Sequence, residues 1–169
     1  MAMHSSLLSL PVPNPQAALH SARLEALIRN ELASSDGSIP FLRFMELALY
    51  APGLGYYSAG AKKFGVVGDF ITAPEISPLF SRCLARQCQE VLARTGGDIL
   101  ELGAGSGIMA ADMLHELEAL ESLPAHYWIL ELSADLRERQ RTTLASRIPH
   151  LLERVRWLDS LPEPGFRLV

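Results

Sequence analysis

The chain has 169 residues, of which 49% are hydrophobic, and it carries a formal net charge of −4. This length and apolar content suffice for one hydrophobic core of ordinary size with an N-terminal attachment. The weakly acidic balance provides no electrostatic footprint for nucleic acid or for an anionic membrane surface. We therefore expect neither nucleic acid nor a membrane as a partner.

The two cysteines, Cys83 and Cys88, fall within one predicted helix. At that spacing they neither bridge each other readily nor form a set of metal ligands. The histidines show no metal-ligand spacing either, so we expect no metal site. The sequence also lacks an apolar run long enough to cross a bilayer and a secretion-signal pattern. These features predict reduced thiols in a cytoplasmic protein.

The N-terminal part of the chain predicts helices and a loop ahead of the main fold. Residues 1–15 contain alternating prolines, which predict a mobile tail. Apolar residues at helical spacing predict an amphipathic helix over 16–33 and a shorter helix over 41–50. Residues 51–76 are rich in aromatic residues, glycine and proline and predict a long ordered loop. We treat 16–76 as one N-terminal segment.

A new helix is predicted to begin at Ser77 and Pro78, because serine caps helices and proline suits their first turn. Two glycines follow Thr95, where the helix is expected to end. This helix opens the last predicted region, residues 77–169. Its packed face is expected to consist of Phe80, Leu84, Cys88 and Val91.

A short apolar run, Asp98–Leu102, closes on the alternating glycines Gly103, Gly105 and Gly107. Helical periodicity follows at once, so the pattern predicts a strand, a tight turn and a helix. Glycines allow close approach of the backbone to a ligand, and the backbone amides at the start of a helix can donate hydrogen bonds to its polar groups. We predict a nucleotide-type binding turn, the alternative being a packing turn without a ligand. A dinucleotide fingerprint needs glycine where Ile108 stands, which disfavours a nicotinamide cofactor.

Strands and helices alternate through the C-terminal half. Short apolar runs at 127–130, 155–158 and 166–169 follow the first strand, with helical patterns between the earlier ones. This alternation predicts an α/β fold with a Rossmann-like parallel sheet, of which the chain holds the first three to four strands. The helical and loop segment described above precedes this sheet.

Two acidic residues stand at the predicted carboxyl ends of the first two strands, where open α/β sheets bind their ligands. Glu101 suits a cationic ligand; the alternative is an ion pair at the strand end. Glu131 is placed to accept hydrogen bonds from ribose hydroxyls; the alternative is a cap on the helix that begins near Ser133. Leu158 and Asp159 would close the third strand beside the base of a bound nucleotide.

Two further features have plainer interpretations. Trp157, at the end of the third strand, fits either the base-binding side or the core. The basic residues near the C-terminus are interleaved with leucines and acids, which predicts a solvated face. They are Arg137, Arg139, Arg141, Arg147, Arg154 and Arg156.

With the Glu101–Gly107 turn and Glu131, the C-terminal half resembles class I S-adenosylmethionine-dependent methyltransferases. The N-terminal half narrows the resemblance to the MidA family, found in bacteria and in mitochondria. The segment Gly68–Ser77 carries most of this similarity. Shorter matches are Phe44-Met45, Ala48-Leu49-Tyr50, Pro52, Gly55-Tyr56-Tyr57 and Phe64-Gly65. The similarity runs from the first predicted helix to the end of the chain.

The resemblance implies a class I methyltransferase sheet and S-adenosylmethionine as the cofactor. It assigns cofactor binding to Glu101, Gly103, Ala104, Gly105, Gly107, Glu131, Leu158 and Asp159. It places a lid or substrate-side wall in the N-terminal segment, at Tyr57, Asp69, Phe70, Thr72, Pro74 and Ser77. No metal is implied, because the sulfonium is already an activated methyl donor and the protein mainly aligns the acceptor.

The resemblance also implies methylation of an arginine on a subunit of respiratory complex I during its assembly, and so a protein substrate. A guanidinium stays charged near neutral pH, so a carboxylate must orient it and favour loss of a proton. Glu75 is the candidate for this catalytic role. Its alternative roles are a hydrogen bond within the loop or a charge at a helix start.

Two other classes of function remain open: a non-catalytic assembly factor that retains a nucleotide-type pocket, and a nicotinamide-dependent dehydrogenase. MidA proteins are longer than this chain, so we expect an N-terminal fragment with weak cofactor binding and no turnover alone. In class I methyltransferases the fourth strand lies beside the first. A sheet that stops at Val169 would therefore expose an edge, which favours a homodimer.

Overall fold

The computed structural model describes residues 12–60 and 71–162. The chain forms two compact units, residues 1–55 and 56–169. Among the described residues, no helix is both long and apolar enough to cross a lipid bilayer.

Several predicted features fall outside the described residues. They are the tail up to residue 11, the lid residues Asp69 and Phe70, and the predicted strand 166–169. The division into an N-terminal segment, 16–76, and a cofactor region, 77–169, stays a prediction.

The first unit contains two helices, α1 (Pro15–Ser34) and α2 (Phe41–Tyr50). The side chain of Asn14 accepts a hydrogen bond from the Ala17 amide at 2.8 Å and so caps α1. Arg43 Nε donates to Glu31 Oε1 at 2.6 Å, which joins α2 to α1. Both helices lie within one or two residues of their predicted bounds.

The second unit contains the sheet and most of the helices. Its helices are α3 (Ala73–Ile76), α4 (Pro78–Thr95), α5 (Ile108–Ala119), α6 (Ala134–Arg147) and a 3-10 helix (Pro149–Arg154). Its strands are β1 (Ile99–Leu102), β2 (Tyr127–Leu130) and β3 (Val155–Leu158), all parallel in the order β1-β2-β3. The predicted α/β fold with a partial Rossmann-like sheet is confirmed. Helix α3 was not predicted; it forms the last part of the expected loop.

The strand register brings the candidate residues together. Leu102 of β1 pairs with Leu130 of β2, which in turn pairs with Leu158 of β3. Since the strands are parallel and end in register, their carboxyl ends meet at one edge of the sheet. The residues that follow the three strands therefore lie along that edge, where open α/β sheets bind ligands.

Helix α4 starts and stops as predicted but packs with a different face. Its buried residues are Ser81, Ala85, Cys88 and Leu92. Phe80, Leu84 and Val91, which were expected to pack, are exposed, so only Cys88 of the predicted face was right. Helix α4 packs against α5, and Ser81 and Ala85 are buried. Small side chains suit a close approach of two helices, since the distance between packed helices depends on the contacting side chains.

Candidate functional site

The glycine turn joins β1 to α5 at the carboxyl edge of the sheet. Gly103, Gly105 and Gly107 have φ angles of 69°, 53° and 82°, in the left-handed region that favours glycine. A Cβ added to Gly103 would meet no atom within 4 Å, whereas one added to Gly107 would lie 3.1 Å from the Cα of Gln140. The turn is thus open toward solvent at its first glycine and pressed against α6 at its last.

A cavity of about 270 Å³ opens beside this turn. It is slightly smaller than the roughly 300–1,000 Å³ of typical small-molecule sites. Its lining residues are Thr72, Pro74, Glu75, Phe80, Glu101, Gly103, Ala104, Gly105, Ser106 and Met109. The cavity therefore brings predicted cofactor residues together with predicted lid residues. Phe80, Ser106 and Met109 were not predicted as lining residues.

Glu101 is a buried acid at the wall of the cavity, with 8% of its surface exposed. Its Oε2 accepts a hydrogen bond from Tyr127 Oη at 2.8 Å. Burial raises the pKa of Glu101 to about 7; the Tyr127 hydrogen bond opposes the rise and the nearby Glu131 adds to it. In the part of the chain that the structure describes, Glu101 forms no ion pair. Within 12–60 and 71–162, no positive charge therefore pairs with this carboxyl group at the cavity.

Tyr127 is fully buried behind Glu101. Burial raises the pKa of Tyr127 well above its usual range, and the neighbouring Glu101 raises it further. The phenol therefore keeps its proton and remains a hydrogen-bond donor to Glu101.

Glu75 faces the same cavity from α3. Its Oε1 accepts a hydrogen bond from the hydroxyl of Ser106, within the glycine turn. It also lies in the first turn of α3. The charge at a helix start is therefore present, and the hydrogen bond of Glu75 reaches the glycine turn rather than the loop. A catalytic role for Glu75 stays a prediction.

Glu131 lies at the end of β2 with 5% of its surface exposed and does not line the cavity. Its Oε1 accepts from the Ser133 amide at 3.0 Å, and its Oε2 accepts from Gln140 Nε2 at 3.1 Å. The cap of α6 is Ser133 itself, whose hydroxyl accepts from the Leu136 amide at 3.2 Å. Glu131 therefore holds the capping residue rather than capping the helix, and ribose binding stays a prediction.

Two residues of α6 that the sequence analysis did not assign to the site tie the strand ends together. Gln140 is fully buried and contacts both Glu131 and the glycine turn. Arg137 Nε donates to the Glu131 carbonyl at 2.6 Å, and its Nη2 donates to the Leu158 carbonyl at 2.7 Å. The same Nη2 lies 2.8 Å from Asp159 Oδ1.

The prediction of a solvated basic face is therefore wrong for part of the series. Arg137 keeps only 19% of its side chain exposed. Arg154 Nη1 donates to the Pro124 carbonyl at 2.8 Å. Both guanidinium groups satisfy backbone carbonyls, which the interleaving of charges with leucines did not reveal.

The end of β3 has a mainly structural arrangement. Leu158 offers its carbonyl to Arg137, and Asp159, which is exposed, forms an ion pair with the same arginine. Trp157 packs against the core and donates from Nε1 to Gln140 Oε1 at 2.9 Å. The guanidinium carbon of Arg141 lies 4.9 Å from the centre of the Trp157 ring.

The remaining lid candidates are placed apart from the cavity lining. The Tyr57 carbonyl accepts a hydrogen bond from Ser133 Oγ at 2.5 Å. Ser77 Oγ caps α4 by accepting from the Leu79 amide at 3.2 Å. Of the described lid candidates, only Thr72 and Pro74 border the cavity. In residues 12–60 and 71–162, no group of three histidine, cysteine or acidic side chains could hold a metal ion.

A family model described as "Putative S-adenosyl-L-methionine-dependent methyltransferase" matches residues 83–169, just over half of the chain. The chain belongs to this family. The predicted resemblance to S-adenosylmethionine-dependent methyltransferases is thereby confirmed. The match begins within α4 and includes β1, the glycine turn and β2.

Curated relatives of this methyltransferase-family chain include mitochondrial proteins. "Protein arginine methyltransferase NDUFAF7 homolog, mitochondrial" of Caenorhabditis elegans is 32% identical over 116 residues, covering 64% of this chain and 27% of the relative. "Protein arginine methyltransferase NDUFAF7, mitochondrial" of Homo sapiens is 33% identical over 118 residues, covering 65% and 26%. The chain thus matches about a quarter of the length of these relatives.

Two crystal structures from Burkholderia thailandensis are more similar in sequence. A COG1565 superfamily member bound to S-adenosyl-homocysteine is 52% identical, with a TM-score of 0.80 over 92% of this chain and 41% of that chain. A native COG1565 superfamily structure is 50% identical, with a TM-score of 0.75 over 92% and 39%. The family fold therefore extends over most of the present chain.

Proposed function

We propose that this chain forms the cofactor-binding part of an S-adenosylmethionine-dependent protein methyltransferase. The observation that carries the proposal is the cavity at the glycine turn with the buried carboxyl group of Glu101 in its wall. A carboxyl group without a nearby positive charge is stabilised in its ionised form by a cationic ligand. The Burkholderia structure with S-adenosyl-homocysteine supports the same cofactor class.

The residues present fit such a cofactor. Open space beside Gly103 allows the turn to approach a ligand. The backbone amides at the start of α5, which has no side-chain cap, can donate hydrogen bonds to polar groups of that ligand. Glu131 uses one internal donor on each carboxylate oxygen, so each oxygen retains a lone pair for a ribose hydroxyl. Leu158 and Asp159 lie at the end of the neighbouring strand, where we place the base.

The cofactor supplies an activated methyl group on sulfur, so the protein contributes mainly orientation and exclusion of water. Phe80 and Met109 provide apolar walls to the cavity. Glu101, held by Tyr127, supplies the negative charge that faces the ligand. Ser106 anchors α3 to the turn through Glu75 and so closes one side of the cavity.

We place the methyl acceptor on the α3 side, where Glu75 would orient a guanidinium and accept its proton. The lid assignment of Tyr57, Asp69, Phe70, Thr72, Pro74 and Ser77 belongs to this proposal. The relatives' names support an arginine in a protein as the acceptor. The resemblance to the MidA family supports a subunit of respiratory complex I. The cytoplasmic location and the homodimer remain predictions, to be checked by cell fractionation and light scattering.

Titration calorimetry of the folded chain with S-adenosylmethionine and S-adenosyl-homocysteine tests the cofactor proposal. We expect heat of binding with both compounds. Glu131→Gln should weaken binding roughly 10-fold or more, because it weakens hydrogen bonds to a charged acceptor. Glu90→Gln, a change of an exposed residue on α4, is the matched control and should bind like the unmodified chain. A folded chain that binds neither compound would overturn the proposal.

Intact-mass analysis of complex I subunits from cells with and without the protein tests the acceptor. A mass difference of one or more methyl groups on a single subunit is expected. Equal masses across every subunit would remove the complex I proposal. Cofactor binding by the protein without methyl transfer would favour the non-catalytic assembly factor.

A further inference from the structure

Gln140 connects three elements of the candidate site through one side-chain amide. Its Nε2 donates to the Gly105 carbonyl at 3.2 Å and to Glu131 Oε2 at 3.1 Å. Its Oε1 accepts from Trp157 Nε1 at 2.9 Å. The glycine turn after β1, the acid after β2 and the last part of β3 therefore meet at one fully buried side chain on α6.

The three partners leave the amide only one orientation. An indole Nε1 can only donate a hydrogen bond, and a backbone carbonyl can only accept one. Turning the amide over would set Oε1 of Gln140 against the Gly105 carbonyl and Nε2 against the Trp157 donor. The Nε2 group of Gln140 is thus fixed toward the carboxylate of Glu131.

The position of Gln140 in α6 is one that an apolar residue would ordinarily occupy. Leu136 and Leu144, one helical turn to either side, are buried, with Leu144 in the main core. Gly107 packs directly on the backbone of Gln140, since a Cβ there would lie 3.1 Å from the Gln140 Cα. A polar side chain at the centre of this packed stripe is buried at a cost that only its hydrogen bonds offset.

We propose that Gln140, oriented by Trp157, is a positioning residue that fixes Glu131 and the glycine turn relative to each other for binding of the cofactor ribose. This inference rests on the proposed function. Gln140 and Trp157 do not line the cavity, so they act through Glu131 and Gly105 rather than by touching the ligand. Glu131 receives donors on both oxygens, which leaves its remaining lone pairs in fixed directions.

Two variants test the inference. Gln140→Met keeps the length of the side chain and removes the amide, and Trp157→Phe removes only the indole donor that orients it. Binding of S-adenosyl-homocysteine and of its 2′-deoxyribose analogue is measured by titration calorimetry on the full chain. In the unmodified chain, loss of the hydroxyl should weaken binding roughly 10- to 100-fold. In each variant the ratio of the two dissociation constants, that of the 2′-deoxyribose analogue to that of S-adenosyl-homocysteine, should fall to about 3-fold or less. The reason is that the carboxylate of Glu131 is no longer held in one direction.

Leu144→Ala is the control for a loss of stability alone. It removes core packing from the same helix, and a leucine side chain makes no hydrogen bond to Glu131, so it should leave the ratio between the two ligands unchanged. A ratio in Gln140→Met and Trp157→Phe equal to that of the unmodified chain would overturn the positioning role, even if both ligands bind more weakly. Absence of S-adenosyl-homocysteine binding by the unmodified chain would overturn the proposed function, and the inference with it.

Discussion

Replacing Glu101 with glutamine isolates the energetic consequence of burying an acid at the cavity wall. Glutamine keeps the size of the side chain and an oxygen that can accept from Tyr127 Oη. It removes the ionisable group whose pKa burial raises from 4.5 to about 7. The comparison therefore removes the charge while retaining the shape of the site.

The sign of the effect follows from proton linkage. Because the pKa of Glu101 is higher in the folded chain, the folded state binds the proton more tightly between pH 4.5 and 7. The contribution of Glu101 to the free energy of unfolding therefore falls as the pH rises through this range. A pKa raised from 4.5 to about 7 corresponds to roughly 3 kcal/mol at pH 8. Glu101→Gln should lack this loss.

Urea unfolding at pH 4.5 and pH 8 measures the difference between the two chains at each pH. We expect the stability of Glu101→Gln relative to the unmodified chain to increase by about 3 kcal/mol on going to pH 8. Comparing two chains cancels the contribution of the titrating groups that do not interact with Glu101. Glu90→Gln, in which an exposed acid on α4 is replaced, is the control and should follow the unmodified chain. If the difference in free energy of unfolding between Glu101→Gln and the unmodified chain does not change with pH, the free-energy cost assigned to ionising buried Glu101 is refuted.

Two further predictions concern the turn and its support. Gly107→Ala should lower the free energy of unfolding by roughly 1–3 kcal/mol, because it combines a positive φ with a close approach to α6. Gly103→Ala has the same kind of φ but no close neighbour, so urea unfolding should show a smaller loss, while calorimetry shows weaker binding of S-adenosyl-homocysteine. Arg137→Met should lower the free energy of unfolding by roughly 1.5–3 kcal/mol, because the carbonyls of Glu131 and Leu158 lose a charged donor. An unchanged midpoint of urea unfolding would show that water replaces the guanidinium.

The sequence was sufficient to place the strand, turn and helix around the three glycines, because each signal there is local. Alternating glycines permit a turn of positive φ, which all three adopt, and the apolar run before them has the length of a strand. Ser77 and Pro78 marked the start of α4 for the same reason, since caps act within a few residues of themselves. Local chemistry thus predicts element boundaries well.

The packed face of α4 could not be predicted, because it depends on the partner helix rather than on α4 itself. Hydrophobic periodicity favoured Phe80, Leu84 and Val91, which are apolar and recur at helical spacing. The structure instead buries Ser81 and Ala85, whose small size permits close approach of α5. Hydrophobic periodicity alone does not identify small residues that are buried because a neighbouring helix lies close to them.

Gln140 was missed although the sequence contains a signal for it. It stands between Leu136 and Leu144 at one-turn spacing, so it lies on the apolar face of α6. A polar residue at the centre of such a face must be hydrogen-bonded when buried. The arginines around it favoured the prediction of a solvated face instead. Its partners Gly105 and Trp157 belong to distant parts of the sequence, so only the fold reveals what it binds.

The two buried acids at the carboxyl edge differ in how the fold compensates them. Glu131 receives two hydrogen bonds from α6 and its cap, whereas Glu101 receives one from Tyr127 and stands closer to the cavity. Under the proposed function, a cationic ligand supplies the missing charge and lowers the cost of ionising Glu101. Ligand binding should therefore stabilise the chain more at pH 8 than at pH 4.5, because only the ionised site gains from the added charge. A site that the described residues leave without a compensating positive charge should in this way favour a positively charged ligand.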